Sequence, residues 1–167
     1  FVHGIRHQST GTINIFNNFI GELYNRNANN TNSVVGISNS SSGTLNLMNN
    51  SIQFGRLAAV TSTGTIFGGT GIDFNTGVTN LKNNIINIKG TPGATGGSFA
   101  AVRRATTGAS GVKPANFSGN NNTYHVNTNN NNYIYAEGTT AASLVNAHYI
   151  NSSATNPVGS FETQASF

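Results

Sequence analysis

Gly11-Thr-Ile-Asn-Ile-Phe-Asn-Asn-Phe-Ile20 recurs almost residue for residue as Gly43-Thr-Leu-Asn-Leu-Met-Asn-Asn-Ser-Ile52, and more loosely as Gly77-Val-Thr-Asn-Leu-Lys-Asn-Asn-Ile-Ile86. The paired asparagines Asn17/Asn18, Asn49/Asn50 and Asn83/Asn84 are spaced by 32 and then 34 residues. Self-similarity at a period of roughly 20–50 residues means stacked units. Within each copy the apolar positions alternate with polar ones: Ile13 and Ile15 with Thr12 and Asn14, Leu45 and Leu47 with Thr44 and Asn46. Period two sends one set of side chains to a buried face and the other to solvent. Past each Asn pair the alternation resumes at Ile20, Ile52 and Ile86. The pair therefore marks a corner between two short strands, where Asn tolerates left-handed backbone angles.

A third apolar strip stands upstream of each copy. These strips are Val2–Ile5, Val34–Ile37, Leu57–Val60 and, before a degenerate fourth copy, Phe99–Val102. Three short strands per unit, without a helical crossover, predict an all-β fold: a right-handed parallel β-helix of about four to five coils with an Asn ladder at one corner. Stacking then places Ile15, Leu47 and Leu81 in one inner row and Ile20, Ile52 and Ile86 in another. Thr79 interrupts the row of Ile13 and Leu45. Asn17, Asn49 and Asn83, with their neighbours Asn18, Asn50 and Asn84, are expected to form the ladder. A buried amide without a partner would cost roughly 1–3 kcal/mol, so every rung needs a neighbour.

Residues 1–138 are read as coils and 139–167 as a C-terminal cap and extended segment of the same domain. Tyr24–Ser33 reads as a protruding polar loop and Ser38–Gly43 as a tight bend. The excess length around Phe67–Phe74 reads as an insertion on one face, and Thr91–Gly97 as a Pro/Gly loop. Asn121-Asn122 marks a fourth corner, Asn127–Asn132 a loop and Tyr133–Ala136 a strand. Thr139–Ile150 has spacing compatible with a short capping helix, and Asn156–Phe161 reads as extended coil. Because the chain opens inside a repeat strip, it reads as a segment of a longer protein.

Only 7% of residues are charged, against about a quarter in ordinary domains, while Asn supplies roughly one residue in six. The phased Ile, Leu and Val positions argue against the disorder that such a polar composition otherwise brings. There are no cysteines, hence no disulfide or thiolate metal site. No apolar run approaches the roughly 18–20 residues of a membrane span. The net charge of +4 comes from thinly scattered residues. Nucleic-acid binding needs a clustered basic face, which is not expected here; the one adjacent pair, Arg103-Arg104, reads as a solvated turn.

The stretches Val35–Ile37, Thr44–Ile52, Leu81–Ile88 and Asn121–Tyr124, followed by Leu144, Asn156 and Phe161, resemble the right-handed parallel β-helix repeats of large exported surface proteins from Bacteroidota-type bacteria. Leu144-Val-Asn-Ala-His148 departs from that pattern in lacking a tryptophan just after the leucine. The resemblance implies secretion to the cell surface by the type IX route. It also implies a role as adhesin, stalk or carbohydrate-associated module, with surface glycans or a neighbouring cell as partners.

Chemistry is sparse. Glycoside hydrolysis typically needs two carboxylates about 5–10 Å apart, and the whole acidic inventory is Glu22, Asp73, Glu137 and Glu162. By the phasing, no two occupy equivalent rungs of adjacent coils. One acid in the insertion does not make a multi-oxygen calcium site. His3 and His7 flank a strand and do not converge on a metal, and no cofactor is implied. Gly68-Gly69-Thr70-Gly71 lacks the lysine of a phosphate loop. Thr12 and Thr44 align but Val78 takes the third place, so no regular threonine ladder for ice forms. Phe16, Met48 and Lys82 make a mixed outward row, a poor sugar platform. Loops on a rigid scaffold usually carry binding, so Asp73 and Phe74 in the insertion are candidate ligand-binding residues, with Arg103 and Arg104. The expected function is non-enzymatic, structural or adhesive. The alternative is a carbohydrate-binding or polysaccharide-degrading β-helix with its site partly outside this segment. An enzyme should turn two carboxylates and a basic residue into one groove; an adhesin should not.

Overall fold

Period-two patterning yields short strands, and the asparagine corners stack them. The computed structural model describes residues 2–23, 34–54, 67–89, 98–105, 115–126 and 132–138, and the backbone of 146–149. The first coil comprises β1 (Val2–His7), β2 (Thr12–Phe16) and β3 (Phe19–Gly21); the second β4 (Val34–Asn39), β5 (Thr44–Met48) and β6 (Ser51–Phe54). The third comprises β7 (Phe67–Phe74), β8 (Val78–Lys82) and β9 (Ile85–Ile88), and the fourth β10 (Ser98–Arg104), β11 (Phe117–Asn120) and β12 (Thr123–Val126). β13 (Asn132–Glu137) begins a fifth, and β14 (Asn146–Tyr149) follows.

Like strands of successive coils pair in parallel. A first sheet runs β1-β4-β7-β10-β13-β14, a second β2-β5-β8-β11 and a third β3-β6-β9-β12. This is a parallel β-helix, all-β among the described residues, in which only the β13–β14 pairing is antiparallel. No helix there is long and apolar enough to cross a membrane.

The register aligns Ile15 with Leu47 and Leu47 with Leu81, and Ile20 with Ile52, Ile86 and then Tyr124. Ile52 and Ile86 are fully buried in the main core, which also holds Leu45, Leu47, Phe74, Phe117 and Tyr135. Thr79 takes the inner place of Leu45 on the third coil, and its hydroxyl accepts from the buried Asn39 amide at 3.2 Å. A hydroxyl in the core is tolerated because it is bonded.

The first sheet carries a small-residue row, Gly4, Gly36, Gly71 and Ala101, in register. A methyl group on Gly36 would lie 2.5 Å from the Gly71 carbonyl oxygen and 2.6 Å from Ile52 Cγ2. The glycines admit the inward isoleucines of the third sheet.

Three expectations are corrected. Phe67–Phe74 is not an insertion: it is β7, paired with β4 on one side and β10 on the other. Gly69-Thr-Gly-Ile72 aligns with Val34-Val-Gly-Ile37 and is the first strip of its coil. Leu57–Val60, expected in that role, lies outside the described residues, as do the loops Tyr24–Ser33, Thr91–Gly97 and most of Asn127–Asn132. Ser38 and Asn39, expected in a bend, end β4. Finally, within the expected capping helix, Asn146–Tyr149 is a strand that runs antiparallel along β13. The exposed edge of β13 offers a row of backbone partners, and these decide the conformation. The remainder of 139–167 lies outside the described residues, Asn156–Phe161 included.

Candidate functional site

The asparagine pairs divide their labour. Asn17, Asn49, Asn83 and Asn121 adopt φ between 54° and 58°, the left-handed conformation that turns each corner, and their side chains are exposed. The second asparagine of each pair makes the ladder. Asn18, Asn50 and Asn84 each give both the backbone N–H and the side-chain amide to the Oδ1 of Asn50, Asn84 and Asn122 respectively, at 2.8–3.1 Å. The same amides of Asn50, Asn84 and Asn122 donate to the carbonyls of Ile15, Leu47 and Leu81. Asn17, Asn49 and Asn83 are thus corner formers, not rungs. A residue with φ near 55° faces outward from the bend, so only its successor reaches the interior.

The four candidate ligand residues lie on the first sheet. Arg103 Nη1 bonds Asp73 Oδ1 at 3.0 Å, and its guanidinium lies 4.8 Å from the Phe67 ring centroid. Arg103 also donates to the Gly138 carbonyl at 3.2 Å and is only 2% exposed. Burial draws its pKa below the ordinary arginine value, against the opposing pull of Asp73. Arg104 Nη1 bonds Glu137 Oε1 at 2.6 Å, and Tyr135 donates to Glu137 Oε2 at 3.1 Å. Burial first, then the Glu137 charge and hydrogen bond, push the Tyr135 phenol far above its ordinary value. Phe74 is fully buried and stacks on Phe117, with ring centroids 5.2 Å apart. The arginine pair is therefore not a solvated turn; its two acids sit 30 and 33 residues away on the neighbouring strands.

Arg103 and Arg104 are neighbours on one strand and turn to opposite faces. Asp73, Arg103 and Ala136 align in register, and Ala136 packs with Phe67, Ala100 and Tyr133 in a second apolar cluster. Phe74, Arg104 and Glu137 form the adjacent row, whose Phe74 belongs to the main core. Asp73 and Glu137 thus face different sides of the sheet. Glu22 is exposed beyond the end of β3, with φ 55°. Glu162 lies outside the described residues.

His7 is buried and its Nδ1 pairs with Asn39 Oδ1 at 3.0 Å, whereas His3 Nδ1 meets Ser38 Oγ at 3.3 Å. Each binds the next coil; they do not converge. His125 is exposed on β12. Among the described residues no three His, Asp or Glu side chains group as metal ligands.

The outward face of the second sheet offers the open surface that the first sheet lacks. Asn46 donates to Asn14 Oδ1 and Asn80 to Asn46 Oδ1, both at 2.8 Å, and Ser118 donates to Asn80 Oδ1 at 2.6 Å. A groove of about 290 Å³ runs beside this second ladder, walled by Met48, Lys82 and Asn120. Phe16, 57% exposed, continues the wall row on the first coil. The repeated Asn at the middle of the G-T-h-N-h strip, where h is apolar, carried the signal for this row, but it reads first as ordinary solvent-facing alternation. No family model, curated protein or solved structure matches this chain.

Proposed function

We propose that this chain is a non-enzymatic, structural and adhesive β-helical segment of an exported bacterial surface protein. The carboxylates among the described residues carry the reading. Asp73 and Glu137 are each held by an arginine and face opposite sides of the first sheet, so they do not act as an acid–base pair. Glu22 stands apart at the end of β3. Hydrolysis by paired carboxylates requires both on one groove. What the coils do offer is a stiff, repeating wall with long rows of uncharged polar groups, suited to many weak contacts at once. Type IX secretion and cell-surface placement belong to the same proposal and rest on the resemblance of the repeats to those of exported surface proteins.

The test is an adhesion assay run beside a depolymerisation assay. Beads carrying the chain should adhere to polysaccharide-coated or cell-coated surfaces without releasing reducing ends or unsaturated sugar products. Product release that disappears in Asp73→Asn or Glu137→Gln would overturn the non-enzymatic reading, and absence of adhesion would overturn the adhesive one.

A further inference from the structure

We propose that the outward face of the second sheet is a glycan-binding site, on which an extended β-linked polysaccharide lies along the stacking axis with one sugar per coil. This rests on the adhesive reading above and names the class of ligand.

The row Asn14, Asn46, Asn80 and Ser118 crosses four coils in register. An amide carries two N–H donors and two acceptor lone pairs. On Asn46 and Asn80 the ladder uses one of each, toward the rungs on either side. Asn46 and Asn80 therefore each keep one donor and one acceptor, the pair that adjacent sugar hydroxyls engage. Asn14 keeps both donors and one acceptor, and Ser118, its hydrogen given to Asn80, keeps acceptor sites only. The ladder bonds also hold the amide planes in place before any ligand arrives, which lowers the ordering cost of binding.

Spacing selects the polymer. Rungs repeat at the strand separation, ~4.8 Å, which is close to the advance per sugar in an extended β-linked chain. A polypeptide strand advances ~3.3 Å per residue and falls out of step within two rungs. A nucleic acid would need a stripe of cations with stacking aromatics, and this face presents Lys82 alone among the described residues. The mixed row of Met48 and Lys82 is no stacking platform by itself, as its sequence indicates. It serves as a side wall, the Met48 side chain and the methylene stem of Lys82 lining the groove beside the ladder with apolar groups for the C–H faces of the sugar rings. Glu22, Asp73 and Glu137 all lie on the other sheets or beyond them. Among the described residues no carboxylate stands on this face to cut the ligand.

The test is binding of the whole chain to β-1,4-linked hexasaccharides of glucose, mannose, N-acetylglucosamine and mannuronate, followed by a length series of any that binds. At least one should bind, with Kd falling from the disaccharide to the tetrasaccharide and levelling there. The double variant N46L/N80L should lose at least tenfold in affinity, while Gln53→Leu on the third sheet should bind as the parent does. The length series needs no variant, so it decides even if the double variant misfolds. Failure to bind any hexasaccharide, an affinity indifferent to length, or full binding by a folded N46L/N80L chain would overturn the site. If beads still adhere in that event, the glycan site fails and the adhesive reading stands; if adhesion is absent as well, both fail.

Discussion

Asn84 Oδ1 accepts two hydrogen bonds from Asn50, one from the backbone N–H at 2.9 Å and one from the side-chain amide at 3.1 Å. Both residues are buried. Asn84→Ala strands both Asn50 donors and also removes the donor to the Leu47 carbonyl. Buried polar groups left unsatisfied cost about 1–3 kcal/mol each, so the two stranded Asn50 donors alone set an expected loss of about 2–6 kcal/mol in urea denaturation. A loss below about 1 kcal/mol would contradict the role assigned to this rung.

The neighbouring position answers to a different rule. Asn49 has φ 55° and an exposed side chain, so its backbone angle matters and its amide does not. Asn49→Gly should leave stability within about 0.5 kcal/mol or raise it slightly, since glycine adopts this conformation freely. Asn49→Val should cost about 1–2 kcal/mol, the steric penalty of a left-handed angle for a residue with a Cβ branch. Thermal denaturation of the two variants side by side separates these outcomes.

Gly36 stands where a methyl group would press on both the Gly71 carbonyl and Ile52. Gly36→Ala should therefore destabilise by about 1–3 kcal/mol, in the range of overpacked cores. Gly11→Ala is the control, because its nearest neighbour would be Ser9 Oγ at an ordinary 3.4 Å. Equal stabilities of the two variants would refute the tight first-sheet to third-sheet packing.

Tyr135 couples the fold to alkaline pH. Its phenol is held protonated by burial and by donation to Glu137. In the unfolded chain it ionises near its ordinary value of about 10. Above that pH the unfolded state binds fewer protons than the folded one, so stability falls as pH rises. Tyr135→Phe should flatten this alkaline decline. It should also cost about 1.5–3 kcal/mol at neutral pH, the value of a hydrogen bond to a charged group. Denaturation midpoints at pH 7 and pH 11 for both proteins are the measurement, and an identical decline in the two would refute the coupling.

The parts of the fold that repeat were legible because each coil copies the last. Ile20, Ile52 and Ile86 occupy one position of a recurring phrase, and they form one row in space. β7 was hidden because Gly68-Gly69-Thr70-Gly71 carries the composition of a turn. One of these glycines, Gly71, is instead demanded by a contact from another sheet: a methyl there would lie 2.5 Å from Ile86 Cγ2. The ion pairs were hidden for a similar reason. Asp73 and Arg103 meet only through strand register, and spacing alone did not distinguish that rung from others. Asn146–Tyr149 has no decisive period, so the edge of β13 settled it. The candidate binding face was present as a recurring Asn, yet its hydrogen-bonded row depends on coils lying directly over one another.

The asparagine ladder has a consequence for how this architecture changes length. Asn18, Asn50 and Asn84 all pass their hydrogens in the same direction, so the column of amides is a one-way series of aligned dipoles. A unit turned end for end would set acceptor against acceptor at the seam, and a unit cut mid-phrase would leave one rung facing a gap. Insertions and deletions that preserve the column must therefore come as complete turns in the original orientation, which makes duplication of intact coils the natural way for such a rod to lengthen.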